Sequence, residues 1–277
     1  MSQPSMQVRF WGVRGTVAAP GPDTVRYGGN TSCVEIVCGT RRVIFDGGTG
    51  IRALGDRLLA GGGSIEADIL LSHCHLDHVA GLPFFTPFYA ASHRLRLWAG
   101  NLLPESNVED TMRKIMSAPL FPIGIETFQA EVAFRDFKAG ETLHLDDAIE
   151  LRTAPLNHPG GATGYRLQFA GRAVAYLTDT EHLPGELDAN VLALAKDADL
   201  MIYDSTYTDD EFPEYVGWGH STWQQAIRLA TAAGAKKVAI FHHDPSRDDV
   251  ALELIEKAAQ AMHTGALAAC EGLTLSL

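Results

Sequence analysis

Cysteine is scarce: Cys33, Cys38, Cys74 and Cys270 are the whole complement of a 277-residue chain, too few at this size for a disulfide scaffold. No run of about 18 apolar residues occurs, so no segment is expected to span a bilayer. The stretch from Met1 to Phe10 lacks a basic segment followed by an apolar core, and no secretory signal is expected there. Cationic side chains are outnumbered, 22 Lys+Arg against 34 Asp+Glu, for a formal net charge of −12. That balance argues against broad, sequence-blind contact with nucleic acid or an anionic membrane. It leaves room for a local basic groove, or for a metal site that neutralises a phosphate. The apolar share is 46% and the charged share 20%, as in packed globular proteins, which excludes whole-chain disorder. The expectation is a soluble cytoplasmic protein.

Short apolar or alternating runs punctuated by glycine recur from end to end. Val8–Trp11, Val34–Val37, Val43–Phe45, Ile69–Leu71, Leu95–Trp98 and Val132–Phe134 read as strands. So do Ile149–Thr153, Gly164–Phe169, Val174–Leu177, Leu200–Tyr203 and Val238–Phe241. Helical spacing falls at Ile51–Leu59, Asn107–Met116, Leu187–Ala195, Thr222–Ala233 and Asp248–Met262. Strands and helices mix throughout, with no repeat or low-complexity linker. That pattern predicts one α/β domain over 1–277. Residues 81–128, rich in proline and aromatics, read as a lid or an irregular insertion, or equally as a loop-rich part of the core.

The chemistry concentrates after the strand ending at Leu71, in Ser72-His73-Cys74-His75-Leu76-Asp77-His78. Alternate residues of an extended segment point to the same side, so His73 and His75 can share one ion. A turn into a helix near Val79-Ala80-Gly81 would aim Asp77 and His78 at a neighbouring point. Histidine and carboxylate donors suit zinc, iron or manganese. By the same alternation Cys74 points away, as buried filler. Other strand ends carry matching groups: His158 in a glycine-rich turn, Asp179 after Val174–Leu177, Asp204 after Leu200–Tyr203, and His242-His243-Asp244 after Val238–Phe241. Gathering such groups at strand ends is how open α/β sheets build sites.

With these residues in this order, the sequence resembles the metallo-β-lactamase-fold hydrolases. The His-x-His-x-Asp-His motif, then His158, Asp179 and His242, carry the resemblance over most of the chain. It implies an αββα four-layer sandwich, two mixed sheets flanked by helices, with two divalent metal ions between the sheets: zinc, with manganese or iron as alternatives. It assigns His73, His75 and His158 to one ion, Asp77, His78 and His242 to the other, and Asp179 to both. His242 directly follows its strand at the family's position, and His243 is the weaker candidate. A water bridging the ions becomes a hydroxide nucleophile near neutral pH, with Asp77 orienting it. Asp46, in Asp46-Gly47-Gly48-Thr49-Gly50, matches the family's first acidic motif and reads as a support for the ligand loop.

Gly219-His220-Ser221-Thr222 precedes the helix Trp223–Ala233, with Ser221 or Thr222 as its cap. Together with Asp204-Ser205-Thr206, this segment resembles the phosphodiesterase branch that contains ribonuclease Z. The resemblance makes His220 the phosphate contact and proton donor, oriented by Asp204. Ribonuclease Z carries Glu at the position of Asp204, which is one methylene shorter. It commonly carries a long Gly- and Lys-rich arm between the residues matching His158 and Asp179, where this chain has the 20 residues Pro159–Thr178. That gap predicts a tight strand pair with a turn at Ala170-Gly171. Phe10-Trp11-Gly12-Val13-Arg14-Gly15-Thr16 and Arg26-Tyr27-Gly28-Gly29-Asn30 resemble little-defined ribonuclease Z-like members. Arg14 and Asn30 would line the mouth of the site or pack the strands.

These readings converge on a dinuclear phosphodiesterase acting on a small phosphodiester, such as a cyclic nucleotide or cyclic phosphate. The charge balance argues against a large nucleic acid and against a membrane, and a homodimer is left open. The alternatives are a thioester or lactone hydrolase on the same metals, a tRNA 3′-processing nuclease, and a non-hydrolytic metal or ligand sensor.

Overall fold

A computed structural model describes residues 5–277; Met1–Pro4, the start of the stretch read above for a secretory signal, lie outside the described residues. The first sheet takes β1 (Met6–Gly12), β2 (Cys33–Cys38), β3 (Arg41–Phe45), β4 (Glu66–Leu71), β5 (Arg94–Ala99) and β6 (Glu131–Asp136). The second takes β7 (Thr142–His144), β8 (Glu150–Leu156), β9 (Ala162–Phe169), β10 (Arg172–Leu177), β11 (Leu200–Asp204), β12 (Val238–Phe241) and β13 (Ala266–Ala268). The last strand, β14 (Thr274–Ser276), returns to the first sheet beside β1, so each sheet has seven strands. Each is mixed. Beyond β3 the pairs β3/β4, β4/β5 and β5/β6 are parallel, as are β10/β11, β11/β12 and β12/β13 in the other sheet.

Period-two alternation explains the layering. Val43 and Phe45 face the core between the sheets while Ile44 faces out; Val174 and Tyr176 face in while Ala175 and Leu177 face out. Phe45 stacks on Tyr176 across the interface with ring centroids 4.9 Å apart. The outer face of the first sheet is covered by α1 (Gly50–Ala60) and α3 (Val108–Ile115), through Ile51, Leu54, Val108 and Met112. The outer face of the second is covered by α4 (Ala189–Ala195) and α5 (Trp223–Ala233), with α6 (Asp249–Met262) packed on α5 and β13. The four layers predicted from the motif are present, with an α2 (Leu76–Val79) of one turn inside the ligand segment. It starts three residues earlier than the turn expected near Val79.

Residues 81–128 contribute β5 to the first sheet and Phe85, Phe88, Val108 and Met112 to its outer core. Between His158 and Asp179 the chain forms the antiparallel pair β9/β10, closed by Ala170 and Gly171 at φ 50° and 76°. Thr222, not Ser221, caps α5: its Oγ1 accepts from the Gln225 N–H at 3.0 Å. Among the described residues, no helix is long and apolar enough to cross a membrane.

One buried ion cluster fixes the strand that delivers the ligand segment. Asp68 on β4 is buried and accepts from Arg96 Nη2 at 2.9 Å, Arg41 Nη2 at 3.0 Å and Trp98 Nε1 at 3.0 Å. It thereby ties β3, β4 and β5 together. Asp68→Ala would leave the Arg41 and Arg96 guanidinium groups with only the more exposed Glu66 as a shared acceptor. We expect a loss of about 2–3 kcal/mol in unfolding free energy, read as a lower urea midpoint at unchanged slope. An unchanged midpoint would show that the cluster contributes nothing to stability.

Candidate metal centre and its acid–base pair

The site lies where strands of both sheets end. β4 runs into Ser72-His73, α2 carries Asp77 and His78, β8 ends before His158, β10 before Asp179 and β12 before His242. The polar atoms gathered here form three overlapping groups: His73, His75 and His158; Asp77, His78, Asp179 and His242; and Asp179, Asp204, His220 and His242. His75 Nδ1 and His158 Nε2 converge to 3.1 Å. Two nitrogens that near match ligands on one tetrahedral ion, which sit about 3.3 Å apart at Zn–N distances of about 2.05 Å. Asp179 stands between the first two. Its Oδ2 is 3.2 Å from His78 Nε2, and its Oδ1 is 3.3 Å from His242 Nε2 and 3.8 Å from His73 Nε2. Asp77 Oδ2 lies 3.2 Å from both His78 Nε2 and His242 Nε2.

The opposite ring nitrogens are engaged, and their partners settle which nitrogen is left for an ion. His158 Nδ1 faces the Gly219 carbonyl at 2.8 Å, so Nδ1 carries the proton and Nε2 the lone pair. His78 Nδ1 donates to Asp46 Oδ2 at 2.8 Å. His73 Nδ1 is 3.1 Å from Ser72 Oγ, whose hydroxyl donates to Asp46 Oδ2 at 2.8 Å. His242 Nδ1 is 3.0 Å from Thr206 Oγ1, which lies 2.9 Å from Asp204 Oδ1. Such outer partners fix the tautomer and aim the ligand. Among the described residues His73 Nε2 is buried without any hydrogen-bond partner, and His78 Nε2, with the proton placed on Nδ1, meets only the acceptor oxygens of Asp77 and Asp179, a costly state for a polar atom that an ion at the cluster would relieve. The residues present therefore fit a pair of divalent cations.

Electrostatics agree. Burial, the largest influence, pushes the His73 and His158 imidazoles below their usual pKa, into the neutral form a ligand requires. His78 differs: burial works against its charge, but Asp179, Asp77 and Asp46 together hold its pKa well above the usual value, so the ring keeps a second proton at the place a cation would take over. Burial opposes ionisation of Asp77 and Asp179, yet the surrounding imidazoles keep both well below the carboxylate range. The cavity therefore attracts positive charge, which cations would supply.

A second arrangement adjoins the first. His220 Nδ1 lies 2.9 Å from Asp204 Oδ2, and the His220 ring stacks on His242 with centroids 4.8 Å apart. The short side chain of Asp204 reaches its histidine because Asp204, on β11, is buried directly beneath it. Its Oδ1 also accepts from Thr206 N–H at 3.1 Å and Ser221 N–H at 3.3 Å. Burial disfavours charge on His220, but the Asp204 charge and hydrogen bond outweigh it and raise the pKa to about 9. His243 is turned away: its Nε2 faces the Ala269 carbonyl at 2.8 Å, and burial drops its pKa to about 3. Cys74 packs among the apolar residues outside the first sheet, its thiol pushed up to about 12 by burial.

Arg14 and Asn30 do not face the site. Arg14 is fully buried and donates to the carbonyls of Gly28 and Arg247 at 2.7 and 2.6 Å, while Asn30 Nδ2 donates to Glu271 Oε2 at 3.0 Å. The same N-terminal segment nevertheless reaches the cluster through its backbone, which side-chain reading missed. The Thr16 N–H, held at φ 63°, donates to Asp77 Oδ2 at 2.7 Å. A Cβ on Gly15 would sit 2.2 Å from the His242 ring. Ser72, Thr206 and Glu181 are further supports that the motif alone did not single out. Glu181 Oε2 accepts from the N–H groups of Gly217 and Gly219 at 2.8 and 2.9 Å, pinning the loop that carries His220.

Two mixed sheets in a four-layer sandwich, with histidines and aspartates gathered at strand ends between them, define a metal-dependent hydrolase of the metallo-β-lactamase fold. A family model described as a beta-lactamase superfamily domain matches residues 41–243, and the chain belongs to that superfamily. Ribonuclease Z of Haloarcula marismortui is 26% identical over 312 aligned positions, covering 97% of this chain and 96% of that protein. A diphosphatase of the PhnP family superposes with a TM-score of 0.70 at 19% identity, covering 99% of this chain and 97% of that one. Zn2+-bound PqqB from Methylobacterium extorquens superposes with a TM-score of 0.70 at 16% identity, covering 98% and 100%. The relative named a ribonuclease gives no support to the expectation, drawn from net charge, against a large nucleic acid.

Because Asp179 faces both histidine groups, Asp179→Ala should empty both. We expect about two ions per wild-type chain after metal loading and desalting, and well under one in the variant, by elemental analysis. Full metal content in a folded variant would show that Asp179 does not serve both sites.

Proposed function

We propose that the protein is a phosphodiesterase that uses two divalent ions, and the observation that carries this reading is His220 held against Asp204 at the edge of the histidine cluster. His73, His75 and His158 would hold one ion, Asp77, His78 and His242 the other, with Asp179 between them. Zinc suits these donors, with manganese or iron as alternatives, and the Zn2+-bound neighbour supports that choice. When bound, the ions supply Lewis acidity and a water acidified to near neutral pH.

The chain's own groups do the rest. Asp204, fixed by the amides of Thr206 and Ser221, accepts a hydrogen bond from His220 Nδ1–H and so keeps the ring charged. Nε2 then carries a proton on the far side of the ring from Asp204. It contacts the phosphate and passes that proton to the leaving alkoxide, which in a diester is a poor leaving group. Asp77, its Oδ2 held by the Thr16 amide, orients the attacking water. A thioester or lactone would need no acid at this position. The relative named ribonuclease Z and the diphosphatase neighbour support phosphate-ester chemistry. The short β9/β10 turn, with no arm extending from it, favours a small diester over precursor tRNA.

His220→Ala should keep its metals but lose about 10²–10⁴-fold in the hydrolysis of alkyl diesters. The loss should shrink for bis(p-nitrophenyl) phosphate, whose leaving group needs little protonation. Asp204→Asn should lose less, in the same direction. Equal small losses on alkyl and aryl substrates by folded, metal-replete variants would remove His220 from the chemistry. In a separate assay, we expect the pure protein to hydrolyse cyclic nucleotides faster than it trims precursor tRNA. The reverse order would assign the site to RNA.

A further inference from the structure

The loop that presents His220 also presents a tryptophan to solvent. Trp218 is 63% exposed, whereas Trp11 and Trp223 are 9% and 8% exposed. A single exposed apolar residue is ordinary on a protein surface; what sets Trp218 apart is the way its loop is tied to His158 and His220. The loop around it is rigid. Gly217 and Gly219, at φ 92° and 87°, flank Trp218, and both donate to Glu181. Gly219 cannot carry a side chain, since its Cβ would meet His158 Nδ1 at 2.3 Å, and its carbonyl holds that same nitrogen. Trp218 is also braced from behind. It meets Tyr215 edge-on at 5.6 Å, Tyr215 stacks on Tyr207 at 4.3 Å, and Tyr207 meets the His220 ring at 6.1 Å. An aromatic ladder thus runs from the proposed proton donor to an exposed indole whose loop is fixed to a candidate metal ligand.

We propose that Trp218 is a stacking platform for a nucleobase, so that the diester handled at the adjacent site belongs to a nucleotide. The inference rests on the phosphodiesterase reading and narrows its substrate class. One residue, Gly219, separates Trp218 from His220, so their Cα atoms lie within about 7 Å. That is comparable to the span of the single sugar between a nucleotide's phosphate and its base. Every base has a π-face, so such a platform selects nucleotides over sugar phosphates without choosing among bases. A braced, pre-oriented indole also loses little freedom on stacking.

The test compares adenosine 5′-monophosphate, ribose 5-phosphate and a triribonucleotide as ligands of the metal-loaded protein, by calorimetry. Trp218→Ala should weaken adenosine 5′-monophosphate by about 5- to 100-fold and leave ribose 5-phosphate unchanged. Trp218→Phe should restore most of the loss, and Val216→Ser, an exposed neighbour, should bind as wild type. A loss on the mononucleotide identifies free nucleotides as the source of the base. A loss confined to the trinucleotide identifies a strand end, and either result supports the platform. No loss on either ligand, or an equal loss on ribose 5-phosphate, overturns it. Trp218-dependent nucleotide binding in a wild-type protein that hydrolyses no diester would sink the phosphodiesterase reading and leave the platform standing.

Discussion

The Asp46 carboxylate, at the end of β3, accepts from the Ser72 N–H at 2.7 Å, Ser72 Oγ at 2.8 Å, His78 Nδ1 at 2.8 Å and the Tyr176 hydroxyl at 2.7 Å. Tyr176 belongs to β10 of the opposite sheet, so one buried anion joins the two sheets at the point where their strands stop. A buried carboxylate tolerates no missing partner; the positions of Ser72, His78 and Tyr176 are therefore dictated together. The ligand segment inherits that constraint, because the Ser72 hydroxyl that faces Asp46 also receives His73 Nδ1. Asp204 repeats the device on the other side, reaching His242 through Thr206 and His220 directly. Two buried aspartates thus orient four imidazoles, each with the nitrogen that matters turned toward the cluster or the substrate.

The backbone at these strand ends is strained in the same places. Asp46, Asp179, His242 and Thr16 all have positive φ, between 54° and 63°, a region that costs a non-glycine residue roughly 1 kcal/mol or more. Each turns the chain sharply as it leaves a strand or crosses the site. Such conformations persist only where the surroundings over-determine them, and here the surroundings are the hydrogen bonds just described. The strain belongs to the site; the packed core between the sheets holds it in place.

What was legible beforehand follows from which residues carry a periodic or spaced signal. Every strand expected from alternation is present, and the His-x-His-x-Asp-His segment, His158, Asp179 and His242 converge as their order implied. The strands that escaped notice, β7, β13 and β14, are three residues each at or near sheet edges, too short for a period to show. Asp46 could be read as a support from its place after a strand, but its bond to Tyr176 joins positions 130 residues apart, which no local pattern encodes. Thr16 was invisible for a different reason: its contribution is a backbone N–H. For Arg14 the sequence left two roles open, lining the mouth or packing, and the structure shows the packing role: its guanidinium is buried and donates to the carbonyls of Gly28, Asp244 and Arg247.

The burial of Arg14 sharpens the charge problem of the site. The chain carries −12 overall, and a phosphodiester carries a negative charge of its own. Arg14 is turned inward, and Arg247 is held by the Thr206 carbonyl and Glu211. Neither guanidinium is free to meet a phosphate. On the proposed reading, positive charge at the site would come from bound cations and from His220, whose pKa, despite burial, Asp204 raises. The buried carboxylates that look unfavourable for an anionic substrate would then make it workable, by holding the cations and sustaining the imidazolium. On the phosphodiesterase reading proposed above, recognition of the substrate's charge would be coupled to metal loading. An uncharged contact such as base stacking would add affinity for such a substrate without altering that balance.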